Sequence, residues 1–117
     1  MGIKRSKKIP PMKRHDIYWC RLDPIEGGEM AKTRPCVIVS RDELNAHLST
    51  VVVCPLTSII HPRWRTRLVV KCAGRQAEIC PDQIRTISKN RLGNKIAKLS
   101  PKNSIELTRL LKELYAT

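Results

Sequence analysis

Ile17-Tyr18-Trp19-Cys20-Arg21-Leu22, then Asp23-Pro24-Ile25-Glu26-Gly27-Gly28-Glu29-Met30-Ala31-Lys32-Thr33-Arg34-Pro35, then Cys36-Val37-Ile38-Val39-Ser40: two apolar runs enclose a loop dense in turn formers and charge. The runs at 17–22 and 36–40 are short and apolar, as strands are, and Asp23-Pro24 marks the turn between them. The Gly27-Gly28 pair permits positive φ and close approach of backbone to a ligand. Lys32 and Arg34 form a cationic tip held against Glu29. Pro35 drives Arg34 into an extended conformation, so Arg34 ends a flexible loop and begins a stiff strand. The same residues also suit a hairpin loop whose charges are merely solvated.

Further strand-like runs occur at 51–56, 68–72, 78–80 and 83–88, making up to six. Several are apolar at consecutive positions, so both faces of the sheet are expected to be covered. Ser40-Arg41-Asp42-Glu43 has the spacing of a capping box and predicts a short helix toward Leu48. Ser100-Pro101 predicts the start of a longer one. There Leu107, Leu110, Leu111 and Leu114 form one stripe that would close over the sheet, and Arg109 and Glu113 pair across a turn. Leu92, Ile96 and Leu99 suggest a short third helix or turn, interrupted by Gly93-Asn94. The expected fold is mainly β with α additions: a small, strongly bent antiparallel barrel with a C-terminal helix and one or two short helices at its edges.

The chain has 117 residues, one domain's worth, with a formal net charge of +13 from 23 Lys+Arg against 10 Asp+Glu. That balance favours polyanionic partners. Lys4, Arg5, Lys7, Lys8, Lys13 and Arg14 all precede the first acid, Asp16, and the rest of the chain stays cationic without them. Residues 1–11 read as a disordered basic arm, which either touches nucleic acid or has no role; residues 12–117 read as a single domain. No run reaches the ~20 apolar residues of a membrane span, and the arm lacks the apolar core of a secretory signal. Five cysteines (Cys20, Cys36, Cys54, Cys72, Cys80) lie in apolar runs without C-x-x-C spacing, pointing to reduced, buried thiols and a cytoplasmic location.

The sequence carries no G-x-S-x-G elbow, no phosphate-binding Gly-Lys-Ser/Thr, no H-E-x-x-H and no dense carboxylate cluster. No metal and no cofactor is expected, so any chemistry falls to Arg, Lys, Thr, Ser, His and a few acids. Thr57 and Ser58 end an apolar strand with a hydroxyl pair able to donate to phosphate oxygens, or simply to bond to backbone. In the following loop, Arg63, Trp64 and Arg65 interleave cations with an aromatic, the pattern that grips a phosphate chain while stacking a base. Imidazole side chains serve as proton carriers near neutrality, which makes His61 a further candidate for proton transfer.

Asp23-Pro24, Gly27 with Glu29, Arg34-Pro35, the strand ending in Thr57, and Asp82-Gln83-Ile84-Arg85-Thr86-Ile87 follow one another in order. With Arg91-Leu92 and Lys95-Ile96 through Leu99, the set resembles the MazF/PemK family of toxin endoribonucleases, over roughly 14–115. The resemblance implies an SH3-like barrel, a homodimer, sequence-specific cleavage of single-stranded RNA, and a cognate antitoxin whose flexible acidic tail blocks the RNA groove. It assigns catalysis to Arg34 and Thr57. Gln83 falls where the family's matching segment lines the RNA groove, and Gly28, Glu29, Lys32, Ser58, Arg63, Trp64, Arg65 and Arg85 are expected as further RNA contacts. Where the family usually reads Gly-Ser-Glu, this chain has Gly27-Gly28-Glu29, so a hydroxyl that often helps hold the RNA is missing. Two alternatives stay open: a non-catalytic toxin of the CcdB type, which poisons DNA gyrase, and a plain nucleic-acid-binding barrel.

Overall fold

The computed structural model describes residues 12–22, 27–28, 30 and 32–116. The basic arm at 1–11, the Asp23-Pro24 turn and Glu29 lie outside them. The elements run β1 (Asp16–Arg21), β2 (Thr33–Ile38), α1 (Asp42–His47), β3 (Thr50–Thr57), β4 (Leu68–Cys72), β5 (Arg75–Ile79), a 3-10 turn (Pro81–Gln83), β6 (Arg85–Ser88), a second 3-10 turn (Lys89–Arg91), β7 (Leu92–Lys98) and α2 (Pro101–Tyr115).

The strands form one curled antiparallel sheet in the order β4-β5-β3-β2-β1-β7, with β6 also paired to β3. β3 is the centre of this arrangement. Along one edge Val51 to Val53 face Ile87 to Arg85 of β6, whereas Leu56 and Thr57 face Ile79 and Glu78 of β5. Pro55 lies at the break between the two partners. A proline cannot donate to a ladder and is normally confined to strand edges and irregularities. Here it interrupts the pairing at the residue where the neighbour changes, and its carbonyl accepts from the Cys80 N–H at 2.9 Å.

The doubly apolar strands find cover on both sides. Ile17, Val37, Cys54 and Leu56 join one core cluster with Ile79 and Leu107, while Tyr18, Cys36, Ile38 and Val53 join a second with Leu22 and Ile87. Successive residues of a strand point to opposite faces, so one chain segment feeds both. All five cysteines are unbridged and buried. Burial pushes the Cys54 thiol up to about 12 and that of Cys80 to about 11, which keeps both protonated and inert.

α2 follows its sequence signals. Ser100 Oγ accepts from the Asn103 N–H at 3.1 Å, Pro101 opens the first turn, and Leu107 and Leu110 are buried. Arg109 bridges Glu106 and Glu113 on the outer face, and the Tyr115 hydroxyl donates to the Pro81 carbonyl at 2.8 Å. No helix of the described residues is long and apolar enough to cross a membrane.

Three local expectations are corrected. The capping box at Ser40 does not form: Arg41 takes the cap position with no side-chain bond. Ser40 Oγ instead bonds buried Asn45 Oδ1 at 2.5 Å and accepts from the Val52 N–H, tying α1 to β3. The third helix suggested between Asn90 and Leu99 is instead a 3-10 turn followed by β7. Its pairing with β1 is broken by register shifts that erase the period of two, which is why Leu92, Ile96 and Leu99 mimic helical spacing. β5 begins three residues earlier than the run at 78–80 suggests. Ala73 and Gly74, at φ 51 and 82, turn the chain tightly out of β4, the double positive-φ arrangement of a two-residue hairpin.

Leu107 is fully buried whereas Ile105, two residues earlier, is 70 % exposed. Leu107→Ala should therefore cost about 2–5 kcal/mol and Ile105→Ala well under 1 kcal/mol. Urea denaturation of both variants checks this; equal losses would show that α2 is not seated by that stripe.

Candidate nucleic-acid interface and catalytic pocket

Arg34 is the second residue of β2, which begins at Thr33, one residue before the strand start expected at Arg34, and its neighbour Pro35 lies opposite Trp19 of β1. Thr57 closes β3 and Ser58 follows it. These strand ends converge on one pocket of about 460 Å³, lined by Arg34, Thr57, Ser58, Trp19, Pro35 and Gln76 among others. Thr57 is 7 % exposed. Its Oγ1 accepts from the Ile59 N–H at 3.2 Å, so one lone pair is engaged while the hydroxyl proton has no acceptor among the described residues. A guanidinium and an alcohol donor on one wall form an arrangement suited to the non-bridging oxygens of a phosphate.

Other sequence-derived candidates lie elsewhere. Gly28, Gln83 and Arg85 line a second groove of about 510 Å³ together with Pro55, which shares a face of β3 with Thr57 two residues on. There Gln83 Oε1 accepts from the Met30 N–H at 3.4 Å and Arg85 Nη1 donates to the Leu22 carbonyl at 3.3 Å. Both side chains hold the loop joining β1 to β2 as well as facing the groove. Lys32 is exposed at the entry to β2, in the left-handed region at φ 69. Arg63, Trp64 and Arg65 are exposed in the loop between β3 and β4.

Trp64 differs from its expected role as an open stacking platform. Its ring stacks on His61, with centroids 3.7 Å apart and planes 12° from parallel, and Arg67 sits over it at 4.6 Å. Both contacts trace back to Glu78, a β5 residue with no exposed surface. Glu78 Oε1 accepts from the His61 backbone N–H at 2.6 Å, and Oε2 lies 2.8 Å from His61 Nδ1 and 3.0 Å from Arg67 Nη1. Arg67 forks at the same time onto Asp82, at 2.8 and 3.0 Å. Burial pushes the Glu78 carboxyl up, but the hydrogen bonds from His61 and Arg67 outweigh it and hold the group below its ordinary value. The Arg67 fork likewise holds Asp82 low. Glu78 faces Thr57 across the strand pair, so this network pins the loop that leaves the pocket. The signal in sequence was a lone acid in the apolar run Ala77-Glu78-Ile79-Cys80 close to three arginines.

Trp19, which the sequence offers only as part of the strand-like run at 17–22, is exposed between buried Tyr18 and Cys20 and lines the pocket on the face of the β1–β2 pair opposite the Arg34 side chain. Among the described residues no group of three or more His, Cys, Asp or Glu side chains is placed to hold a metal ion.

Comparison with known proteins identifies this architecture. A family model described as a PemK-like, MazF-like toxin of type II toxin-antitoxin systems matches residues 13–115. The chain belongs to that family. It is 34 % identical over 101 residues to the endoribonuclease MazF of Staphylococcus saprophyticus, covering 82 % of this chain and 84 % of that protein. Against the endoribonuclease MazF of Staphylococcus epidermidis it is 31 % identical over 105 residues, covering 86 % and 88 %. In fold it matches the crystal structure of MazF from Deinococcus radiodurans, with a TM-score of 0.82 over 92 % of this chain and 99 % of that one at 18 % identity. A mycobacterial endoribonuclease solved with its cognate antitoxin matches at a TM-score of 0.72 and 22 % identity, over 90 % and 93 %.

Glu78→Ala should cost roughly 1–3 kcal/mol, because His61 and one arm of Arg67, which keeps its fork on Asp82, lose their buried acceptor; urea denaturation measures it. The linked pH dependence has a definite sign. Since the native carboxyl sits below its unfolded value of about 4.3, the stability it contributes is complete above that value. It is lost as pH falls through the lower native one. Stability measured below pH ~4 should therefore fall more steeply in the wild type than in Glu78→Gln; parallel curves would contradict the assignment.

Proposed function

We propose that this chain is the toxin of a type II toxin–antitoxin pair and a sequence-specific endoribonuclease acting on single-stranded RNA. The observation that carries the reading is the convergence of Arg34 and Thr57 on one pocket in a chain of the MazF/PemK family. Its relatives in two staphylococci are named endoribonucleases.

The reaction is a transesterification within the substrate. The ribose 2′-oxygen attacks the adjacent phosphorus, the P–O5′ bond breaks, and the products are a 2′,3′-cyclic phosphate and a 5′-hydroxyl. Arg34 bridges two non-bridging oxygens and neutralises the charge that builds as phosphorus becomes five-coordinate. Thr57 donates its proton to one of the same oxygens. Donors held in advance where charge develops account for much of a catalytic rate. An arginine side chain stays cationic in proteins and supplies no base; the proton leaving the 2′-hydroxyl passes to another group or to water, and one is returned to the departing 5′-oxygen. Arg63, Arg65 and Lys32 extend the cationic surface along which the strand lies, and Gln83 and Arg85 border a second groove beside it.

The strongly cationic chain suits an antitoxin with an acidic, flexible tail that competes for the RNA surface. The active species is a homodimer in the cytoplasm, where the five buried thiols stay reduced.

The deciding experiment incubates purified protein with a long mixed RNA and maps the new ends, with mass spectrometry for their chemistry. Cleavage leaving cyclic phosphate and 5′-hydroxyl ends is expected and should persist in EDTA. Arg34→Ala should lower the rate by about 10²–10³-fold with its melting temperature preserved. Loss of cleavage in EDTA with rescue by Mg²⁺ would overturn the mechanism. RNA retained without cutting would favour a plain binding barrel, and neither binding nor cutting would favour a toxin of the CcdB kind.

A further inference from the structure

We propose that the groove beside Pro55 reads one base of the bound RNA by its exocyclic oxygen, accepting uracil or guanine and rejecting cytosine and adenine, a role that rests on the endoribonuclease reading and deepens it. The groove lies on the face of the sheet that carries the phosphate-binding pair. Cys36 pairs with Pro55, and alternation along both strands sends Arg34 and Thr57 to the side that Cys36 and Pro55 face. Thr57 is two residues beyond Pro55, about 7 Å along a strand. One nucleotide spans that gap, its phosphate at Arg34 and Thr57 and its base in the groove of about 510 Å³.

Leu22, Met30, Pro55 and Ile84 give the groove apolar walls for the faces of a flat ring, and Asp82, Gln83 and Arg85 are left to meet its edge. Their own hydrogen bonds decide what they offer. Asp82 accepts both arms of the Arg67 fork, at 2.8 and 3.0 Å. That fork is the main cause holding the carboxyl below its ordinary value, and its own backbone N–H and the Gln83 amide act in the same direction against burial. Four donors thus meet a carboxylate that has about four lone-pair sites, and Asp82 has no acceptor left open. Gln83 Oε1 is taken by the Met30 N–H at 3.4 Å. With its oxygen turned to Met30 and one N–H to Asp82, the amide keeps its second N–H for a ligand. Arg85 commits only Nη1, to the Leu22 carbonyl at 3.3 Å, and a guanidinium has five N–H donors. Gly28, standing where the family usually has serine, brings no hydroxyl.

The side chains of the groove therefore present donors and no open acceptor. Uracil O4 and guanine O6 are acceptors at the place where cytosine and adenine carry an amino group, and unpaired RNA exposes those edges to a protein. An amino group facing Gln83 and Arg85 would set donor against donor and give up its water without a replacement. A site built to hydrogen-bond one group rejects the analogue that lacks it far more strongly than an apolar pocket does.

The test starts with the wild-type protein and a randomised single-stranded RNA pool, whose new ends are sequenced. One position flanking the cut should hold U or G. In the preferred substrate, changing that U to C or that G to A should lower kcat/KM about 5- to 100-fold, whereas inosine, which keeps O6, should serve as well as G. Gln83→Glu replaces the free N–H with an acceptor and should bring the U-to-C or G-to-A ratio toward one at that position alone. A Gln83→Glu variant that slows every substrate alike and keeps the wild-type ratio overturns the proposal, because a merely structural role predicts that result. The same pool made uncleavable by 2′-O-methylation gives the binding preference by itself. Bound RNA enriched in U or G at one position, with the cleavable pool left intact, would defeat the nuclease reading and spare this one. RNA cut equally well with either kind of base at every flanking position would do the reverse.

Discussion

Pro55 has no N–H to donate, and at that residue β3 exchanges one neighbour for another. On its N-terminal side β3 pairs with β6; on its C-terminal side it pairs with β5. A flat sheet would force both partners into one line, whereas an interrupted ladder lets the strand bend and serve two directions. The curl of the sheet follows from that bend, while alternation along β3 sends Cys54 and Leu56 to one core cluster and Val53 to the other. Pro55 lines one groove, and Leu56 with Thr57 lines the other.

Because the pocket is made at strand ends, its side chains inherit the stiffness of the sheet. Arg34 lies inside β2, held extended by the proline after it, and Thr57 is the last residue of the longest strand. Loops carry the exposed cations Lys32, Arg63 and Arg65, and paired backbone carries Arg34 and Thr57, the groups proposed to meet a phosphate. This division suits a reaction in which the substrate brings its own nucleophile and the protein contributes position and charge.

The same economy appears in the buried acid. A chain with more than twice as many cations as anions risks repulsion between its arginines in the loop at 58–67. Glu78, withdrawn from water, draws Arg67 and the His61 backbone inward, and Asp82 takes the rest of the Arg67 fork. The exposed arginines Arg63 and Arg65 remain directed to solvent while the loop that bears them is anchored. A buried charge is tolerated because several hydrogen bonds converge on it.

Much of this was written in the linear order of residues. Short β-branched runs, Ser100-Pro101 before a leucine stripe, and the doubly apolar strands all announced a curled sheet with a C-terminal helix, since these signals act within a few residues of one another. Ordered motifs around Arg34, Thr57 and 82–87 carried the family, because motif order survives without knowledge of distance. What the chain could not display was contact between residues remote in sequence. Ser40 has the spacing of a helix cap, yet Val52 and Asn45 claim its hydroxyl; Leu92, Ile96 and Leu99 are spaced like a helix face, yet 92–98 form β7, whose pairing with β1 carries register shifts. Trp19 and Trp64 are equally aromatic on paper, and only folding brings His61 and Arg67 against one ring while leaving the other exposed on β1. Local conformation answers to neighbouring residues, but which face stays uncovered answers to the whole packed chain.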